Sequence, residues 1–312
     1  MIVAQGLTKR YGDKVAVDAL SFEVRPGVVT GFLGPNGAGK SSTMRLMLDL
    51  DFGTGETRFD GRRFREIRRP MREIGTVLEG GPVHPTRRAR NHLRMLAAAN
   101  DLPRRRVEEV LAMVGLSAVA GKRPRTFSLG MNQRLGLAAA LLGDPEILIL
   151  DEPANGLDPH GIQWLRGLLK SLAAEGRTVF VSSHQLSEME LMADELVVIG
   201  RGRLLASGTV ASFVRDYTRT TTVVRSPQID ILMKAVRAAV PTVRISREPD
   251  HAALIGVEAQ QVGEIAAAEG VTLHELTTRM ASLEEAFFEA TGASEEYVGR
   301  PQPTPAINGS RS

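Results

Sequence analysis

The stretch GPNGAGKS, Gly34–Ser41, decides the fold. It fits G-x-x-x-x-G-K-[ST], a phosphate-binding loop pattern that carries meaning only between a strand and a helix. Both flanks meet that condition. VVTGFLG before it reads as a buried strand ending in glycine, and KSSTMRLMLDL after it reads as a helix. A triphosphate brings several negative charges, and backbone N–H groups must approach them closely. Gly34, Gly37 and Gly39 let the loop wrap without side chains in the way, with Pro35, Asn36 and Ala38 between them. A helix starting near Lys40 adds the positive end of its dipole. Lys40 supplies a mobile charge for the β and γ phosphates, Ser41 offers a hydroxyl to Mg²⁺, and Ser42 completes the cradle.

Two further strand ends belong with this loop. ILILDEP, Ile147–Pro153, is an apolar strand that stops at two acids. Adjacent carboxylates at the end of a buried strand lose hydration, a cost that a bound cation offsets. Asp151 is therefore the candidate to orient Mg²⁺ and Glu152 the candidate to polarise an attacking water. Two solvated loop acids are the plainer alternative, which gives way beside a phosphate cradle. FVSSHQ ends the next strand at His184. A lone histidine is more often a surface or satisfied core residue. Neighbouring parallel strands finish at one edge, however, and that places His184 within reach of a γ-phosphate.

Strand-like and helix-like stretches alternate over the first 210 residues, which predicts a parallel sheet covered on both faces. Residues 85–131 are mostly helical in pattern, and ELVVIGRGRLLASG signals a hairpin. After Gly208 the order becomes β, α, β, β, α, β, the sequence of a small split-βαβ sheet. A closing helix, SLEEAFFEATG, follows, so a second domain is expected at 215–290. The tail 293–312 is rich in Pro, Gly and Ser and is expected to be disordered. Zero cysteines exclude a disulfide framework and thiolate metal sites. No apolar run reaches the roughly 18 residues a membrane span requires, and the N-terminus lacks a secretory pattern, so a cytoplasmic location is expected. Net charge is only +3, but GRRFREIRRPMR (Gly61–Arg72) sets six arginines against one glutamate. Such a run reads first as a solvated face. A nucleic-acid or membrane surface is the sharper reading, and aromatics at 4% give it no stacking platform for bases.

One further string, FSLGMNQR (Phe127–Arg134), holds no acid, base or metal ligand beyond Ser128. Together with GPNGAGKSS, LILDEPANGLDP and VSSH, in that order, it resembles the ATP-binding-cassette (ABC) ATPases over residues 1–210. The resemblance implies an α/β P-loop NTPase fold: a parallel sheet core, an antiparallel N-terminal β region and a helical subdomain at about 85–131. The small α+β domain at 215–290 is additional. The resemblance also implies two copies packed head to tail around ATP and Mg²⁺. Ser128 and Gly130 would then meet the γ-phosphate held by the other copy, from a helix beginning near Met131. Tyr11 would stack on adenine, and Asp158 would lie at the seam between copies. Glu79 stands where the family usually has a metal-approaching glutamine, and it adds a negative charge there. Leu129 and Met131 depart from the family's usual glycine and glutamine. These variants, and the ending LEEAFFEATG, are similar to ATPase chains of ABC-2 type antibiotic and multidrug exporters.

The resemblance therefore implies an ATP-hydrolysing subunit on the cytoplasmic face of the plasma membrane. It would be a homodimer driving a separate transmembrane permease, with a drug, antibiotic or lipid-like substrate. The competing reading is a soluble cassette ATPase acting on nucleic acid or the ribosome. A single phosphate-binding loop and the lack of sustained heptads speak against it.

Overall fold

Strands β1 (Ile2–Tyr11) and β2 (Lys14–Val24) alternate buried and exposed residues and pair antiparallel across a two-residue turn that begins at Gly12, φ 57°. β3 (Val29–Leu33) is buried at all five residues, as an interior parallel strand must be. It feeds the Gly34–Gly39 loop and helix α1 (Lys40–Met47). β4 (Thr54–Phe59) then returns to β1, giving a three-stranded antiparallel sheet in the order β2-β1-β4. Its polar sequence TGETRF carries no apolar run, and neither it nor β1 is evident from patterning alone. The structure is a computed structural model, and it describes residues 1–78, 86–218, 221–249, 251–279 and 281–291. Glu79 and the tail at 293–312 lie outside the described residues.

The single turn α2 (Pro70–Glu73) leads into β5 (Ile74–Val77). Helices α3 (Ala89–Ala99), α4 (Arg104–Met113) and α5 (Leu129–Leu141) follow. The chain then alternates β6 (Ile147–Leu150), α6 (Pro159–Ala174), β7 (Thr178–Ser182), α7 (Leu186–Met192) and β8 (Glu195–Gly200), and turns back through β9 (Arg203–Thr209). These strands and β3 form one sheet, β5-β6-β7-β3-β8-β9, parallel except for the β8–β9 hairpin. Alternate residues of each strand go to opposite cores. Phe32 and Phe180 stack with Phe22 between the two sheets, ring centroids 5.0–5.8 Å apart. Leu33, Leu148, Leu150 and Val181 face the helices on the other side.

Helix α8 (Val210–Tyr217) joins this body to a second sheet. β10 (Thr221–Arg225), α9 (Ile229–Ala239), β11 (Arg244–Arg247), β12 (Ala252–Ile255), α10 (Ala259–Ala268) and β13 (Glu275–Arg279) form a four-stranded antiparallel sheet, order β11-β12-β10-β13. It has its own core around Val224, Leu232, Val236, Leu254 and Val262. The closing helix α11 (Leu283–Thr291), expected with this unit, packs elsewhere. Its Leu283, Ala286 and Phe287 join Phe213 and Met192 in the core of the larger body. The small core is already filled from α9 and α10, so the apolar stripe of α11 finds its cover on α8 and α7.

Candidate functional site

Because β3 lies between β7 and β8, and β6 lies beside β7, the C-terminal ends of four parallel strands meet at one edge. The order reverses at β3, the place where open α/β sheets bind ligands. A cleft of about 480 Å³ opens there. Its floor is the loop and helix start from Asn36 to Ser42, and its walls carry Tyr11, Glu152 and His184.

The loop's shape depends on glycines. Gly39, which precedes α1, sits at φ 105°, and a Cβ on it would stand 2.3 Å from the Ala16 carbonyl oxygen. Gly34 passes so close to β8 that a Cβ would lie 2.7 Å from the Ile199 carbonyl oxygen. Lys40 is nearly buried. Its Nζ donates to the Gly34 carbonyl at 2.7 Å, with the Pro35 carbonyl at 3.5 Å. Burial pushes the ammonium below its ordinary pKa, and the nearby carboxylates of Glu152 and Asp151 oppose that shift in part.

Asp151 follows β6 and is 2% exposed. Its backbone N–H donates to the Val77 carbonyl at 2.7 Å, and its Oδ1 accepts from the Ser182 hydroxyl at 2.5 Å. Oδ2 is buried and has no partner. An ionised oxygen left this way is costly unless a cation or donor arrives, so the residues fit Mg²⁺ held by Asp151 and Ser41. Glu152 adopts φ 50°, the left-handed region that a non-glycine residue rarely enters. Its N–H donates to Ser182 Oγ at 2.9 Å, and its carbonyl accepts from Gln133 Nε2 at 3.3 Å. Its carboxylate Oε2 lies 2.7 Å from His184 Nδ1 and accepts from the His184 N–H at 3.3 Å. Glutamate and histidine thus stand as a pair at the cleft wall.

Tyr11 is half exposed and held from two sides. Its hydroxyl donates to Asp51 Oδ2 at 3.2 Å, and the Lys9 ammonium lies 4.8 Å from its ring centroid. Asp51 is in turn gripped by the Arg45 guanidinium, with Nε at 3.0 Å, from the far end of the helix that carries Lys40.

Ser128, Gly130 and Asp158 do not line this cleft. Ser128 caps α5, accepting the Met131 N–H at 3.2 Å, so the helix begins at Leu129 rather than near Met131. Asp158 caps α6, accepting from the Gly161 N–H at 2.8 Å. The two loops touch: a Cβ on Gly130 would meet the Gly156 carbonyl oxygen at 2.6 Å, and a Cβ on Gly156 would meet Leu129 at 2.4 Å. Ser128 and Leu129 are both exposed. Sequence reasoning missed Ser182, Asn155, which lines the cleft, and Gln133. Ser182 had a signal, a hydroxyl at the last position of a buried strand beside the acidic one.

The sequence profile described as "ABC transporter" matches residues 17–155, and one described as "Domain of unknown function (DUF8746)" matches residues 220–284. The chain is 35% identical over 309 residues to the uncharacterized ABC transporter ATP-binding protein YhcH of Bacillus subtilis, covering 94% of this chain and 97% of that one. It is 44% identical over 209 residues to the bacitracin transport ATP-binding protein BcrA of Bacillus licheniformis, covering 66% and 68%. Among solved structures, the ATP-binding subunit of an ABC transporter superposes with TM-score 0.63 at 28% identity, covering 70% of this chain and 93% of that one.

Proposed function

The chain belongs to the ABC transporter family of ATPases, and from that premise we propose that two copies pack head to tail and hydrolyse ATP to drive a separate membrane-spanning permease. The observation that carries the dimer is the exposed Ser128 loop. It is capped by its own serine, offers backbone N–H groups and one hydroxyl, and is not among the described residues lining the cleft of its own chain. Such a loop completes a site elsewhere, and the open cleft of a second copy is the partner it fits.

Within each cleft, backbone N–H groups of the Gly34–Gly39 loop and the Lys40 ammonium bind the phosphates, and Tyr11 stacks on adenine. Mg²⁺, when bound through Ser41 and Asp151, supplies charge neutralisation between the β and γ phosphates. Glu79 belongs to the same proposed set. Glu152 orients the attacking water and accepts its proton, while His184, hydrogen-bonded to Glu152, holds that carboxylate toward the γ-phosphate. Asp158 sits at the seam and links the two sites.

No described helix is long and apolar enough to cross a membrane; in this reading the span belongs to the permease. Relatives named for antibiotic transport support export of an antibiotic, drug or lipid-like molecule, with the ATPase at the cytoplasmic membrane face. The arginine run at 61–72 gives the nucleic-acid alternative little support. Four of its six arginines pair with local acids: Arg62 with Glu73, Arg63 with Glu56, Arg65 with Asp49 and Arg69 with Asp101.

The test is sedimentation of Glu152→Gln with ATP. We expect a stable dimer that retains uncleaved ATP, and a return to monomer when Ser128→Arg is added, although each chain still binds nucleotide. A monomer that hydrolyses ATP at full rate regardless of Ser128 would refute the proposal. Co-purification of a multi-span membrane protein, rather than RNA or DNA, tests the permease.

A further inference from the structure

A second cleft, of about 500 Å³, lies on the helical region and is lined by Arg88, Gly121, Lys122, Arg123, Arg125 and Thr126. Among the described residues, neither an acid nor an apolar side chain lines it. We propose that it is an anion-binding site for a phosphate group, one carried by a lipid headgroup or free in solution.

The backbone, not the side chains, brings these four cations together. Ala89 N–H donates to the Lys122 carbonyl at 3.0 Å and Arg90 N–H to the Ala120 carbonyl at 2.9 Å, which pins residues 120–122 to the start of α3. Pro124 is buried and begins a short 3₁₀ turn, anchored by buried Phe127. That turn leaves Arg123 and Arg125 exposed on either side of Pro124. Four like charges are therefore held within one cleft whether or not they repel.

Their neighbours are treated differently. Along the same helix, Arg90 and Arg94 both reach Glu108, at 2.9 and 3.6 Å. Arg106 on α4 reaches Glu109 and Asp144, at 2.8 and 3.5 Å. Among the described residues, no ion pair involves Arg88, Lys122, Arg123 or Arg125, while Arg90, Arg94 and Arg106 each have one, and no acid stands in the first turn of α3. A fixed cluster of exposed cations lacking counter-charge raises the local concentration of anions. Arginine forks match phosphate oxygens two at a time, and lysine adds a point charge. A cleft with no apolar lining fits a small oxyanion better than an acidic peptide, which relies on apolar anchors as well.

The experiment compares the wild type with Arg123→Gln/Arg125→Gln. Both positions are exposed and lie outside the catalytic cleft, so urea unfolding and basal ATPase activity should be unchanged. In the first arm, protein is co-sedimented with vesicles of phosphatidylglycerol and phosphatidylcholine, and with phosphatidylcholine alone. Wild type should bind the anionic vesicles only, and the double variant should bind roughly 30-fold more weakly, from about fivefold per basic residue at an anionic surface. In the second arm, inorganic pyrophosphate is titrated with ATP held saturating, and the amide signals of Gly121 and Thr126 are followed by NMR. Vesicle binding that the variant loses supports the site with a lipid source. Pyrophosphate shifts that the variant loses, without vesicle binding, support it with a soluble source. The proposal is overturned by no response in either arm, or by equal responses from wild type and variant.

Discussion

Ser182→Ala should both destabilise the ATPase body and slow hydrolysis, because one hydroxyl holds both acids of the site. Ser182 is 0% exposed, donates to Asp151 Oδ1 at 2.5 Å and accepts from Glu152 N at 2.9 Å. A hydrogen bond to a charged group contributes about 1.5–3 kcal/mol and a neutral one about 0.5–1.5 kcal/mol. Losing both predicts a loss of about 2–4 kcal/mol, against about 0.5–3 kcal/mol for most single substitutions. The figure falls at the upper end because nothing else takes over. Asp151 Oδ2 already lacks a partner, so the variant leaves a buried carboxylate with neither oxygen bonded. Glu152 also loses the acceptor that holds its N–H at φ 50°. The single tryptophan, Trp164, lies on α6 with the Arg134 guanidinium carbon 4.5 Å from its ring centroid, so its fluorescence reports unfolding of this body. Urea titration should show a lower midpoint at constant slope. Turnover should fall by about tenfold or more, since small misplacements of catalytic groups are costly. A variant within about 0.5 kcal/mol of wild type and turning over at full speed would show that the hydroxyl positions neither acid.

Gly130→Ala should keep ATP binding but lose most turnover. Its Cβ would lie 2.6 Å from the Gly156 carbonyl oxygen, a backbone atom, so the two loops must shift apart; equilibrium nucleotide binding and turnover measured together decide this, and unchanged turnover is the contrary result. Asp51→Ala should raise KM for ATP several-fold with little change in kcat, because it frees the Tyr11 ring without touching the acids; a kcat loss at constant KM would place Asp51 elsewhere in the mechanism. Lys40 gives a pH prediction. Burial lowers its pKa below 10.5, so between the lowered value and 10.5 the unfolded chain holds a proton that the folded chain has released. Stability of the nucleotide-free wild type should therefore rise with pH across that window relative to Lys40→Met, and parallel urea midpoints for the two would contradict it.

The strings proposed to bind phosphate stand out in the sequence because such chemistry is local. A loop that grips a triphosphate does so with consecutive backbone N–H groups, so the residues proposed for it, Gly34, Gly37, Gly39 and Lys40, are neighbours in sequence. The acidic pair after ILIL was legible for a related reason: carboxylates ending a buried strand conflict with their surroundings. Strand β4 was not legible, since TGETRF folds as a strand through pairing with β1 and not through its own pattern. The packing of α11 was equally hidden, because an amphipathic stripe says that a face is buried but not against what.

The sequence by itself determined the glycine-rich loop between strand and helix, the two acids and the histidine at strand ends, and the kinds of elements that carry them, because each is specified within a few residues. Only the tertiary structure decided that β7 and β8 flank β3 and that β6 lies beside β7. That order sets Glu152 against His184, hangs both acids on Ser182 and presses Gly130 onto Gly156. These are contacts between segments far apart in the chain, chosen by which crossovers bury the sheet, and no local pattern encodes them.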